Sequence, residues 1–426
     1  MNVILPVPER PPPPRRFLFL QGPVSPFFAE VAAGLRALGH AAHRINLCLG
    51  DRLFWRGPGA VDFRGRLRDW PGFVGAFLDR HAITDLVLLG EQRAYHRIAI
   101  EAARARGIAV TVTDFGYIRP DWVVLERDGM GAESRFPREP AAIRALAAAC
   151  PAPDMTPRFA DSFPRQAAWD VAFHLANLLP FPFRHYETWL LHHPIPAYLG
   201  TALRLLRRGR DTRRAAAALD ALRGRGPLYL FAMQMENDYS IRAYSDFRSN
   251  DEAIALAVES FARGAAAEAH LLVKVHPLDP GLKAWGRRIR RIAAASGVEG
   301  RVHVLDGALH MDPVIEACRG VVTVNSTVGI RSIAMGRATC ALGRAIYGVE
   351  GLVWRGPLDA FWREAPPPDP ALTAAFLRAI AACLHVRGVY YRRPGLDAAV
   401  AGTVRRLHLG AVNVPLPEGE EAALPG

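Results

Sequence analysis

Two short strings in this chain carry groups that can hold a phosphate. They are Lys274-Val275-His276-Pro277 and Asn325-Ser326-Thr327, and each ends an apolar run, 271–275 and 321–324. Such runs suit buried parallel strands, and polar groups at the carboxyl ends of strands stand where open α/β sheets bind ligands. An ammonium, an imidazole, and hydroxyls with free backbone N–H groups at a helix start together make an anion site. Ordinary helix capping explains the Asn-Ser-Thr string by itself, and a satisfied buried histidine before a turn explains His276 by itself. Their pairing, expected on adjacent strand ends, favours the phosphate of a nucleotide sugar. Only Lys274 and Lys283 are lysines among 53 basic residues, which singles out a lysine beside His276.

Carboxylates come next. Gln234-Met235-Glu236-Asn237-Asp238 follows the apolar run 228–232, so an amide and two carboxylates crowd one strand end. Asp238 suits a nucleophile or base and Gln234 an orienting group; a turn or helix cap is the plainer alternative. In the first third of the chain, Gly90-Glu91-Gln92-Arg93 follows the run 85–89, and Asp114-Phe115-Gly116-Tyr117-Ile118-Arg119-Pro120 follows 108–113. Each sets a carboxylate beside an arginine, either as turn acid and surface base or as part of a catalytic cleft. There is no G-x-x-x-x-G-K-[ST], no convincing G-x-G-x-x-G, and no clustered Cys/His or Asp-x-Asp set. Kinase, dinucleotide and metal chemistry are therefore disfavoured, and no cofactor is expected.

The elements that must position these groups alternate. Strands are expected at 16–20, 43–47, 85–89 and 108–113, with helices at 27–38, 73–81 and 96–106 between them. The alternation resumes with strands at 228–232, 271–275, 302–305, 321–324 and 339–342, and with helices at 252–263, 283–295 and 328–335. This pattern predicts an α/β protein of two facing Rossmann-like domains with the ligand between them. Residues 16–160 form the N-terminal, acceptor-side domain and 216–365 the nucleotide-sugar domain. Residues 371–386 and 394–406 suit closing helices within 366–410. The stretch 161–215 differs: helical runs at 169–179, 181–191 and 195–206, broken by prolines, end in an arginine-rich segment. A proline run, Pro11 to Pro14, forms an extended lead-in.

Composition narrows the setting. The 426 residues carry 53 basic and 41 acidic side chains, a net charge of +12, which points to an anionic partner. No recognition motif for nucleic acid is present, so an anionic lipid or phosphorylated substrate is the better match. The five cysteines lie far apart with no C-x-x-C, as buried thiols of a reducing compartment do. The N-terminus lacks the apolar core of a signal peptide, and no apolar stretch is long enough to span a bilayer. A cytoplasmic location is expected.

Taken in order, Phe19-Leu20-Gln21-Gly22-Pro23, Leu89 to Arg93, Asp114 to Pro120, Gln234 to Asp238, Lys274 to Pro277 and Val324 to Gly329 resemble the capsule polysaccharide biosynthesis/export proteins of the KpsS-like kind, relatives of the β-Kdo transferases. The resemblance runs over roughly 16–400. It implies a GT-B fold and a metal-independent retaining transfer of β-Kdo from CMP-Kdo. The implied acceptor is a (lyso)phosphatidylglycerol-type lipid on the inner face of the inner membrane. Capsule biosynthesis and export proteins are the implied partners. It maps the nucleophile to Asp238 with Gln234, and donor binding to Lys274, His276 and Pro277. The related acidic loop is matched only in part: Asp114 stands where a Glu is expected and Phe115 where an Asp is, so Glu91 stays open beside Asp114 as acid/base. Asn325, Ser326 and Thr327 would share the phosphate, with Arg93, Arg119 and Glu236 as further cleft groups. A nucleotide-sugar epimerase-like enzyme and a non-catalytic assembly or export scaffold are the alternatives.

Overall fold

The computed structural model describes residues 13–416, apart from Arg56 and Asn237. The first half of the proline run and one member of the Gln234 to Asp238 string thus lie outside the described residues. Among the described residues there are twelve strands: β1 Arg16–Phe19, β2 Ala41–Asn46, β3 Ala60–Asp62, β4 Asp85–Leu89, β5 Ala109–Phe115, β6 Trp122–Arg127, β7 Leu228–Ala232, β8 His270–Lys274, β9 Val302–Leu305, β10 Gly320–Thr323, β11 Ala338–Ala341 and β12 His385–Arg387. The chain divides into two compact units. Unit 1 holds residues up to 136, 145–189 and those from 378; unit 2 holds 137–144 and 190–377.

Unit 1 is built on a seven-stranded sheet in the order β12-β6-β5-β4-β1-β2-β3. Strands β1 to β5 are parallel, while β6 runs antiparallel to β5 and β12 antiparallel to β6. Phe17, Leu18 and Phe19 of β1 are fully buried, as a strand covered on both faces requires. Each such side chain contributes about 1.5–3 kcal/mol on leaving water. One cover is the helix pair Phe27–Ala37 and Gly395–Leu409. Gly34 allows their approach: a Cβ there would meet the Val404 side chain at 2.8 Å.

Unit 2 is built on a five-stranded, wholly parallel sheet, β11-β10-β7-β8-β9. All five residues of β7, Leu-Tyr-Leu-Phe-Ala, are buried. Both sheets therefore contain the same doubly wound order, with the third strand outermost and the chain reversing direction across the sheet between the first and fourth. The reversal falls between β1 and β4 in unit 1 and between β7 and β10 in unit 2, and such switch points open a crevice at the carboxyl ends.

Several expectations change here. Strands β8 and β10 are not neighbours, because β7 lies between them. The Lys274 and Asn325 strings are thus separated by the strand that carries Gln234. The segment 161–215 is not one body: the helix Phe163–Ala176 belongs to unit 1, and the helix Pro194–Leu222 belongs to unit 2. No helix forms over 181–191, where prolines 180 and 182 bracket the start and deny it backbone donors. Pro194 and Pro196 instead sit in the first turn of a 29-residue helix, where a missing N–H costs little. The closing stretch 366–410 also divides, since β12 pairs with β6 and returns the chain to unit 1.

Candidate functional site

The switch point of unit 2 is closed by one hydrogen-bonded cluster. Gln234 Nε2 lies 2.8 Å from Asn325 Oδ1, 2.8 Å from Ser240 Oγ and 3.0 Å from Asp238 Oδ2, and shares its two protons among these three acceptors. In return the Asn325 backbone N–H donates to Gln234 Oε1 at 3.0 Å, and Asn325 Nδ2 donates to the Ser240 carbonyl at 2.8 Å. The loops after β7 and β10 are thereby clamped together through two amides. Asp238 caps the short helix Tyr239–Tyr244, its Oδ1 accepting from the Ser240 N–H at 2.9 Å. The capping alternative is realised.

Glu236 does different work. Its Oε1 meets Lys283 Nζ at 2.6 Å, and its Oε2 accepts from Asn250 Nδ2 at 3.0 Å. A carboxylate held in an ion pair of that kind fastens the loop to Lys283. Ser326 is held from behind by the Tyr347 hydroxyl, which donates to its carbonyl at 2.7 Å. Gly329 makes room for that tyrosine, since a Cβ there would fall 2.3 Å from Tyr347 Oη. Thr327 precedes the helix Val328–Ala334 without bonding it through its side chain.

One strand away, Lys274 is buried and donates to the carbonyls of Val275 at 3.0 Å and Gly307 at 2.7 Å, tying the β8 loop to the loop after β9. Burial pulls its ammonium down to about 8. His276 accepts from the Leu278 N–H at Nδ1, 3.1 Å, in a turn that leaves Pro277 exposed.

Unit 1 gathers acids. Glu91, just past the end of β4, is buried, and desolvation first, then the charges of Asp114, Glu126 and Glu133, push its carboxyl up to about 8. It is therefore largely protonated at neutral pH, a form suited to donating a proton. Asp114 lies at the end of β5, where its Oδ1 accepts from the Phe115 N–H at 2.7 Å. Glu126, on β6, accepts from the hydroxyls of Tyr117 and Ser134. Arg93 lies over the Trp189 ring at 4.7 Å and Arg119 over Phe115 at 4.9 Å, so both guanidinium groups are partly engaged by aromatic faces.

Positioning groups that sequence reading missed come from distant parts of the chain. His96 hydrogen-bonds through Nδ1 to the Gly90 carbonyl at 2.8 Å, where Gly90 takes φ +63°. Burial drives this imidazole down to about 3, keeping it neutral. His385 on β12 accepts the Tyr117 N–H at 2.9 Å through Nε2 while Nδ1 bonds the Ile380 carbonyl, and burial lowers it to about 4. The Tyr390 hydroxyl lies 2.8 Å from both Thr113 Oγ1 and the Asp114 carbonyl. The acidic loop is thus set by residues some 270 positions later. No local pattern signals them. Among the described residues no three His, Cys, Asp or Glu side chains gather as a metal site.

With this geometry in view, the family follows. The family model for capsule polysaccharide biosynthesis proteins matches residues 84–391, and the chain belongs to that family. Its relatives include the capsule polysaccharide export protein KpsS of Escherichia coli, 29% identical over 88% of this chain and 97% of that protein. The capsule polysaccharide modification protein LipB of Neisseria meningitidis serogroup A is also 29% identical, over 84% of this chain and 87% of that one. Among solved structures, KpsC of Thermosulfurimonas dismutans, a beta Kdo 2,7 transferase, aligns with a TM-score of 0.43 at 13% identity over 92% of this chain and 99% of that one.

Proposed function

We propose that the protein is a retaining glycosyltransferase that moves β-Kdo from CMP-Kdo to a (lyso)phosphatidylglycerol-type lipid and so begins the linker of a capsular polysaccharide. The observation that carries this reading is the position of Asp238. It stands four residues after Gln234 at the switch point of unit 2, its carboxylate hydrogen-bonded by the Gln234 amide and the Ser240 N–H. Retention by double displacement needs such a carboxylate at the anomeric carbon. In the first step an Asp238 oxygen bonds to that carbon as its bond to the phosphate oxygen breaks, and CMP leaves with the electron pair. In the second, the acceptor oxygen displaces Asp238 from that carbon and gives up its proton to a general base.

His276, Ser326 and Thr327 would hold the departing phosphate, with Lys274 adding charge from beneath. An ammonium carries three protons and Lys274 uses two on carbonyls. Asp114 and Glu91 share the acid/base assignment. Of the two, Glu91 is the one whose carboxyl is raised to about 8.

The lipid side of the reading is supported by the helix Pro194–Leu222. One face packs into unit 2 through Ala215, Leu219 and Leu222, and through Thr212, whose Oγ1 accepts from the Ala308 N–H at 2.9 Å. The opposite face exposes Ile195, Leu199, Leu203 and Leu206, the last 84% exposed, and continues with Arg210 and Arg213. Leucines followed by arginines on one exposed face suit the headgroup boundary of an anionic bilayer. Among the described residues no helix is long and apolar enough to cross a membrane.

Mass spectrometry after incubation with CMP-Kdo and lysophosphatidylglycerol tests the reading. A lipid product heavier by one Kdo is expected. CMP release with no sugar on the lipid would remove the acceptor, and neither CMP binding nor release would favour the non-catalytic alternative.

A further inference from the structure

Lys283 has no part in the chemistry proposed above, yet both donor-side loops of unit 2 lead to it. Its Nζ meets Glu236 Oε1 at 2.6 Å and Asp251 Oδ2 at 2.8 Å, and lies 5.1 Å from the centre of the Trp285 ring. On the β7 side, Glu236 also accepts from Asn250 Nδ2, and the same Nδ2 donates to the Gln234 carbonyl at 2.9 Å. Glu236, Asn250 and Lys283 therefore brace the Gln234 to Asp238 loop from the side away from the Asn325 clamp. On the β8 side, Trp285 Nε1–H donates to Asp279 Oδ2 at 3.0 Å, and the Asp279 N–H donates to the His276 carbonyl at 3.0 Å. Asp279 and Trp285 are both buried, which ties that turn firmly.

From this we infer that Lys283 is a positioning residue: it joins the loop bearing Asp238 to the turn bearing His276 and sets their spacing. The inference rests on the proposed transferase reading for its kinetic consequence, though not for the coupling itself. A lysine suits the place. Its compact ammonium reaches two carboxylates and an aromatic face at once, where a planar guanidinium would favour bidentate pairing with one of them. A reacting carboxylate misplaced by about 1 Å can cost 10²-fold in rate, so a fastening several residues from the nucleophile has leverage.

The test uses the full chain carrying Lys283→Met, Glu236→Gln or Trp285→Phe, read by amide hydrogen exchange and by CMP-Kdo turnover per CMP-binding site. Lys283→Met should speed exchange in both 234–240 and 276–281, Glu236→Gln mainly in the first stretch, and Trp285→Phe mainly in the second. Turnover by Lys283→Met should fall at least about 10-fold while CMP affinity changes less than about 3-fold. The Glu236→Gln/Lys283→Met pair should be little worse than Lys283→Met alone, since both cut one link. Faster exchange spread evenly over unit 2, or confined to one stretch in Lys283→Met, would overturn the coupling. So would independent effects of the two substitutions. If the wild-type protein transfers no Kdo, the transferase reading fails and the exchange pattern still decides the coupling.

Discussion

The two units share a strand order and differ in what they place at their strand ends. Beside β7 and β10, unit 2 sets amides, hydroxyls and one capped aspartate, with Lys274 and His276 a strand away. Beside β4 and β5, unit 1 sets Glu91 and Asp114, with Glu126 behind them. The first surroundings supply hydrogen-bond donors; the second crowd like charges into a desolvated place and keep one carboxyl protonated. One topology thus yields an end rich in amides and hydroxyls and an end rich in carboxyl groups. The difference lies in a few loop residues, as expected when a fold supplies position and a site supplies chemistry.

The largest way to break this contrast is Asp238→Asn. The variant keeps the size and one acceptor oxygen for the helix cap, so it should fold and bind CMP, yet lose at least about 10²-fold in turnover. Near-normal rates in a steady-state CMP-release assay would remove Asp238 from the mechanism. Second, His276→Ala should weaken CMP binding by about 1.5–3 kcal/mol, the worth of a hydrogen bond to a charged group. Asp114→Asn and Glu91→Gln should leave that affinity alone if the anion site belongs to unit 2. Calorimetric titration of the three variants separates the assignments; equal losses in all of them would erase the distinction between the ends.

A third test concerns the acidic end. A carboxyl whose folded value is raised to about 8 binds its proton more tightly folded than unfolded. Its contribution to stability is therefore full at pH values below the usual carboxylate range and is lost as pH rises toward 8. Glu91→Gln should flatten that decline, by at most about 1.4 kcal/mol per pH unit for one proton. Denaturant melts at pH 5 to 9 that stay parallel for both proteins would show Glu91 to be ionised throughout. The smallest effect is expected on the helix Pro194–Leu222. Leu206→Ser should reduce sedimentation with phosphatidylglycerol vesicles by roughly 1–2 kcal/mol, as for one exposed leucine leaving an apolar phase. Salt should reduce it further, because surface attraction is screened within about 10 Å at 0.1 M. Equal binding to neutral vesicles would discard the role of Arg210 and Arg213.

Much of this was readable along the chain. Strands β4 and β7 occupy the residues their apolar runs predicted, because burial on both faces of a parallel sheet demands an uninterrupted apolar segment with abrupt polar ends. The strings at Glu91, Asp114, Gln234, Lys274 and Asn325 all sit at or just past strand ends for the same reason. Strand β12 escaped notice: three residues pairing antiparallel with a strand some 260 positions earlier leave no periodic signal. The helix Pro194–Leu222 outruns the expected 195–206 because arginines and Gly209 interrupt its apolar pattern while continuing its exposed face.

The sequence by itself determined which residue types stand at which strand ends, since local burial and strand length are written in consecutive residues. Tertiary structure alone decided who meets whom. It inserted β7 between β8 and β10, made Glu236 a fastening for Lys283 and Asp238 a partner of Gln234, and brought His385 and Tyr390 under the Asp114 loop. The reason is physical. Strand order and side-chain hydrogen bonds depend on contacts between residues far apart in the chain, and the cost of closing those loops is met only when whole sheets and their covering helices pack together.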